Sequence, residues 1–244
     1  MKRIKHKLLV MSGKGGVGKT TIAVNLAYSL SEKGFKVGLL DVDIHGPNVP
    51  KMLNLKNESL LTKENKILPI EVNNNLKVIS MAFLVNKSDA VIWRGPMKHN
   101  VIKQFLTEVE WGDLDFLVID FPPGTGDEAI SVSQLLDNIT GSIIVSTPQQ
   151  VSLIDVERSI SFSKNVKIPI IGIIENMSGD IFGSGTVDNF ASSHNTPYLG
   201  KLDMDKSIRE SGDAGEPFTK TNSKISESFK EITNKILLFC EKNN

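Results

Sequence analysis

The run Gly13-Lys14-Gly15-Gly16-Val17-Gly18-Lys19-Thr20 constrains this chain more than any other stretch of it. It satisfies the pattern G-x-x-x-x-G-K-[ST] and sits between an apolar run over residues 8–11 and a stretch of helical length over residues 20–33. A strand, a glycine-rich turn and a helix in that order turn consecutive backbone N–H groups inward around an anion, with the helix N-terminus behind them. Glycine reaches the required dihedrals without a Cβ clash. The whole run, with Thr21 after it, is the expected nucleotide-binding set. Lys19 is expected to neutralise β- and γ-phosphate charge, and the Thr20 hydroxyl to reach Mg²⁺.

A turn of this kind needs a buried sheet beside it. Short, β-branched apolar runs recur over residues 37–40, 116–119, 143–145 and 168–174, separated by helical stretches over residues 20–33, 97–110, 128–137 and 152–164. Strand alternating with helix predicts an α/β fold: an open, mostly parallel sheet with helices on both faces, in a single domain over residues 1–244. Ligands then gather at the carboxyl ends of the strands. Residues 54–75 and 179–195 carry no clear period and are expected to be surface excursions. Over residues 224–242, Ile225, Phe229, Ile232, Ile236 and Phe239 recur at spacings of three or four, the stripe of a helix packed on the sheet.

Acidic residues fall where strands end. Asp41 and Asp43 close the second expected strand, and alternation sends both side chains to the same side. One carboxylate can hold an attacking water while the other supports Mg²⁺ or the fold of the loop. Asp120 follows Phe116-Leu117-Val118-Ile119, so that a buried strand delivers a carboxylate to the Mg²⁺ hydration shell. The metal set is thus Thr20, Asp120 and Asp41. Pro122-Pro123-Gly124-Thr125-Gly126-Asp127 follows, a turn suited to sensing a γ-phosphate.

Composition narrows the setting. With 28 Lys+Arg against 28 Asp+Glu, the formal charge is zero, which removes any global electrostatic case for a nucleic-acid or membrane partner. The apolar run at residues 8–11 falls short of the roughly 7–15 residues of a secretory signal. One cysteine, Cys240, excludes a disulfide framework and a thiolate-rich metal site within one chain, and a cytoplasmic setting is expected. His6, His45, His99 and His194 show no metal-ligand spacing.

Lys14, a second lysine inside the loop, resembles the deviant Walker A form of the MinD/ParA/nitrogenase-iron-protein class. That resemblance implies a homodimer with nucleotides sandwiched at its interface, Lys14 reaching the phosphates of the other subunit and Asp43 orienting water. More specifically, Asp43-Ile44-His45-Gly46-Pro47-Asn48-Val49-Pro50, Trp93-Arg94-Gly95-Pro96-Met97, the segment 120–127, Thr147-Pro148-Gln149 and Glu175-Asn176-Met177-Ser178 resemble the successive signatures of the Mrp/ApbC family of iron–sulfur cluster carrier ATPases. The resemblance implies a weakly hydrolysing, ATP- and Mg²⁺-binding homodimer that carries or delivers iron–sulfur clusters. It also implies that Asn176 reads the adenine edge and that Pro217 lines the base. The chain departs from the family at residues 176–183, where a Cys-x-x-Cys pair is replaced by Asn176-Met177-Ser178-Gly179-Asp180-Ile181-Phe182-Gly183. Two Cys240 thiols per dimer fall short of the four that common clusters use. A cluster-bearing partner or client protein then has to supply thiolates. Two other readings share the ATPase motifs: a MinD- or ParA-like positioning protein on a membrane or DNA, and an assembly ATPase for another metalloprotein.

Overall fold

A computed structural model describes residues 4–43, 46–55, 58–64, 66–84 and 95–243, with residues 95–99 as backbone alone. His45 and the Trp93-Arg94 pair lie outside the described residues. In chain order the elements are β1 (Ile4–Met11), α1 (Lys19–Glu32), β2 (Val37–Asp41), α2 (Val49–Met52), β3 (Leu61–Lys63), β4 (Lys66–Leu68), β5 (Ile70–Asn73), β6 (Leu76–Ser80), α3 (Gly95–Thr107), β7 (Leu114–Asp120), α4 (Asp127–Leu135), β8 (Gly141–Ser146), α5 (Gln150–Asn165), β9 (Ile170–Ser178), α6 (Thr186–Ser193), β10 (Tyr198–Asp203), α7 (Lys206–Ala214) and α8 (Lys224–Lys242).

Eight strands form one sheet in the order β10-β9-β8-β1-β7-β2-β6-β5. Its pairings are parallel except at the β5 edge, which runs antiparallel to β6. β3 and β4 make a separate antiparallel pair. The central strands are buried on both faces, and period-2 alternation sorts their side chains between two cores. Leu8, Val10, Leu39, Phe116, Val118, Ile143 and Val145 join α1, α2 and α8 on one side. Leu9, Met11, Leu40, Leu117, Ile119 and Ile144 join α3, α4, α5 and α6 on the other.

The terminal stripe packs as expected: α8 buries Ile225, Phe229, Ile232 and Ile236, and Lys235 Nζ donates to the Leu199 carbonyl at 2.8 Å. Elsewhere the structure corrects the sequence reading. The expected strand over 168–174 begins only at Ile170, because Pro169 has no N–H; its carbonyl instead accepts from the Ser142 N–H at 2.8 Å. The first expected excursion holds β3, β4 and β5, and the second holds α6. No helix among the described residues is long and apolar enough to cross a membrane.

The carboxyl ends of β1, β2 and β7 come together at the middle of the sheet. There Val10 and Asp41 are both in register with Asp120. β1 continues into the glycine-rich turn at this point, so sheet order alone brings the loop and the three strand-end acids to one place.

Candidate nucleotide-binding site

Hydrogen bonds and close packing fix the glycine-rich loop. The Ser12 hydroxyl donates to the Lys14 carbonyl at 2.8 Å, and the Gly124 N–H donates to the Ser12 carbonyl at 2.8 Å. The turn after Asp120 is thereby tied to the start of the loop. At Gly13, a Cβ would lie 2.2 Å from the Asp155 carbonyl oxygen of α5, so only glycine fits. At Gly18, φ is +87° and a Cβ would lie 2.2 Å from Asn176 Nδ2. Gly18 starts α1 without a side-chain cap, and the first turn holds no acidic residue. The helix thus turns an uncapped positive end toward the loop, the arrangement an anion needs.

Charge collects beneath the loop. Lys19 Nζ lies 2.6 Å from Asp120 Oδ1 and 3.4 Å from Asp43 Oδ2, while the Thr20 hydroxyl donates to Asp120 Oδ2 at 2.7 Å. Asp41 is fully buried, and both of its oxygens accept: Oδ1 from the Asp43 N–H at 3.1 Å, Oδ2 from the Ser80 hydroxyl at 2.7 Å. Asp41 therefore braces the strand end that carries Asp43. Burial alone would depress the Lys19 ammonium, but Asp120 and Asp43 beside it more than offset that and raise it. Burial pushes the Asp120 carboxyl up, with Lys19 and Thr20 pulling the other way. Burial and then Asp120 push Asp41 up to about 8.

Asp43 and Asp120 against the one ammonium of Lys19 leave a surplus of negative charge in a dry place, and all the donors are hard oxygens. That chemistry fits Mg²⁺, which takes one or two protein ligands beside substrate phosphates and keeps several waters. Among the described residues no group of three or more His, Cys, Asp or Glu side chains could hold a metal ion, and Thr20 and Asp120, joined by a hydrogen bond, place a hydroxyl and a carboxylate side by side.

The raised Asp41 value has a consequence for stability. The folded chain keeps this proton after the unfolded chain has released it, so native stability falls as the pH rises from about 4 toward about 8. Asparagine at 41 can still accept from Asp43 and donate to Ser80. Asp41→Asn is therefore expected to melt above the parent at pH 8, by on the order of 2 kcal/mol or roughly 4–8 °C. The gain shrinks toward pH 4. Thermal unfolding across that range checks it, and an offset that does not vary with pH would contradict the electrostatic account.

Beside the loop lies a cavity of about 470 Å³, with Thr20, Thr21 and Asn176 in its wall. Asn176 Nδ2 donates to the Val17 carbonyl at 2.8 Å, so one side chain both closes the loop and faces the cavity. Pro217 is buried and is not among the cavity residues. Instead α2 and α7 form the opposite wall, bridged by the Lys51–Asp213 pair at 3.4 Å. Sequence reasoning missed this wall and missed Ser80. A serine closing a strand with one lysine in it carries no local mark of its role.

The segment after Asn176 is held by a buried carboxylate. Glu175 accepts from the Ser178 hydroxyl at 2.6 Å, the Gly185 N–H at 2.9 Å and the Val187 N–H at 3.0 Å, and so caps α6 from a distance in sequence. Gly179 and Gly183 close a small turn on each other, with Ile181 at its exposed tip. Cys240 is buried within α8, and burial pushes its thiol up to about 11. Lys14 is half-buried in the loop.

Comparison with known proteins shows the family and the fold. A family model described as ParA, NUBPL iron-transfer P-loop NTPase, matches residues 3–237. A protein of Methanocaldococcus jannaschii named iron-sulfur cluster carrier protein is 46% identical over 97% of this chain and 86% of its own length. A nucleotide-binding protein from Archaeoglobus fulgidus, solved in complex with ADP, superposes with a TM-score of 0.80 at 30% identity, covering 94% of this chain and 92% of that one. The septum site-determining protein MinD of Pyrococcus horikoshii, complexed with Mg-ADP, shares the fold at a TM-score of 0.75 and 23% identity, over 95% of each chain.

Proposed function

The chain belongs to the ParA and NUBPL-type iron-transfer P-loop NTPase family, and from that premise we propose that it is a Mg²⁺-dependent ATPase, working as a homodimer, that hands on iron–sulfur clusters during iron–sulfur protein assembly. The thiolates that hold the cluster come from a partner or client, since this chain has one cysteine. The observation that carries the ATPase reading is the buried group of Lys19, Asp43 and Asp120 at the foot of the glycine-rich loop. Relatives named as cluster carriers, among them one 46% identical over 97% of this chain, support the cargo.

In this reading the loop amides and Lys19 stabilise the phosphoryl oxygens as charge builds on them. Asp43, braced through its N–H by Asp41, orients the attacking water. Thr20 and Asp120 hold Mg²⁺, which when bound neutralises phosphate charge. Lys14 completes the site from the other subunit, and Asn176 meets the base edge.

Lys14→Ala is expected to lower hydrolysis by about 10²–10³, the usual cost of losing one stabilising donor, while nucleotide affinity changes far less. Light scattering should show the ATP-induced dimer disappear with it. Unchanged turnover in Lys14→Ala protein would remove the in-trans role. For the cargo, an anaerobic mixture of this protein, a [4Fe–4S]-loaded scaffold and an apo-recipient is expected to transfer clusters faster with ATP than without. If the chain neither associates with the loaded scaffold nor accelerates transfer, the cluster role fails.

A further inference from the structure

Three thioethers line the cavity beside the loop. Met52 at the end of α2, Met177 at the end of β9 and Met204 just after β10 all line it. Met52 Cε lies 3.7 Å from the position a Cβ would take on Gly212, so it sits beside α7 on the same wall. Met177 Cε comes within 3.6 Å of the corresponding position on Gly18, where the glycine-rich loop becomes α1. Met177 also holds φ at +60°, an unusual left-handed backbone for such a side chain, and the Met204 N–H donates to the Ser178 carbonyl at 2.7 Å. Three separate elements thus bring thioethers to one space.

Accessibility divides the methionines sharply. Met11 and Met81 are 0% and 1% exposed in the core, whereas Met204 is 44% exposed and Met52 and Met177 are half-buried. Among the methionines whose side chains are described, those that solvent can reach are the ones in this cavity.

We propose that Met52, Met177 and Met204 form an oxidation-sensitive wall, at which a hydroperoxide converts thioether to sulfoxide and thereby weakens nucleotide binding. The proposal rests on the reading of this cavity as the place of the nucleoside. In the step, a sulfur lone pair attacks one peroxide oxygen and the O–O bond breaks as the S–O bond forms. The departing oxygen takes the proton and leaves as water from hydrogen peroxide, or as the alcohol from an organic hydroperoxide, so sulfur loses two electrons and the peroxide gains them. A flexible apolar surface that moulds to a purine ring becomes polar and chiral. The ring then meets polar sulfoxide oxygens where it met apolar thioethers.

The test uses the full chain, treated with hydrogen peroxide and analysed by peptide mass to locate added oxygen. Affinity for a fluorescent ATP analogue is measured before oxidation, after it, and after repair with methionine sulfoxide reductases. A rise in Kd of tenfold or more, with sulfoxide at positions 52, 177 and 204 and reversal on repair, is expected. M52L/M177L/M204L, each preparation compared with its own unoxidised form, should show no such ratio. Unchanged affinity in protein oxidised at these three positions overturns the proposal, as does an equal loss in the triple variant. If that variant misfolds, reversal by the reductases on the parent chain decides alone. If the unoxidised protein binds no nucleotide, the nucleoside reading falls as well; if it binds and oxidation changes nothing, only the thioether proposal falls.

Discussion

Lys19→Ala protein loses tight ATP binding, with an affinity drop of at least about 10²–10³, equivalent to roughly 3–4 kcal/mol. The lost ammonium is 6% exposed and makes its contacts in a dry site, so its charge-assisted bonds to phosphate are worth more than surface ones. The same substitution leaves Asp120 and Asp43 without their cation. Removing one partner of a buried pair costs about 3–5 kcal/mol, so the variant also melts well below the parent. Protonation of Asp120 offsets part of this, which makes the deficit smaller at pH 5 than at pH 8. Calorimetric titration with ATP and melting curves at the two pH values check both halves. An affinity within tenfold of the parent would sink the role given to Lys19.

The second large effect comes from a methyl group. Gly13→Ala forces a Cβ to within 2.2 Å of the Asp155 carbonyl oxygen and 2.5 Å of its carbon, both backbone atoms of α5 that no rotamer can move. Overpacking of ordinary side chains costs about 1–3 kcal/mol, and a backbone overlap lies at or above the top of that range. The loop or α5 has to shift, and the N–H groups that face the phosphates shift with it. Nucleotide binding should therefore be lost together with at least about 5 °C of melting temperature. Gly15→Ala is the control on stability: nothing lies within 4 Å of its Cβ position, so its melting temperature should match the parent. Equal destabilisation by the two substitutions would mean that α5 does not buttress the loop.

The legible part of this fold was the part written in local signals. Residues 8–11 and 116–119 are continuous apolar runs because β1 and β7 are buried on both faces, and the loop between β1 and α1 is spelled out in glycines. β10 escaped notice because Tyr198-Leu199-Gly200-Lys201-Leu202-Asp203 alternates with exposed residues at a sheet edge. β6 was hidden by Lys77 in a five-residue strand, and with it went Ser80, the partner of Asp41. α6 has no cap of its own in sequence, since Glu175 supplies it from the preceding strand. The site divides in the same way. Lys19, Thr20, Asp43 and Asp120 could be placed from spacing and strand ends. The α7 wall could not, because none of its residues is buried and only tertiary contact sets it over the cavity.

The position of β1 at the centre of the sheet also sets a timetable for synthesis. Leu8 pairs with Val118 on one side and with Gly141 on the other, so the strand leaves the ribosome long before either neighbour exists. At about 5–20 residues per second, the wait for β8 lasts roughly 7–27 s. Parallel pairings of this separation are slow to form even in a complete chain. Gly13 then has to wait for Asp155, and Gly18 for Asn176, before the loop between them is held on both sides. The loop is thus translated well before it can become competent, and until β7 emerges a nascent chain carries β1 as an apolar, unpaired strand.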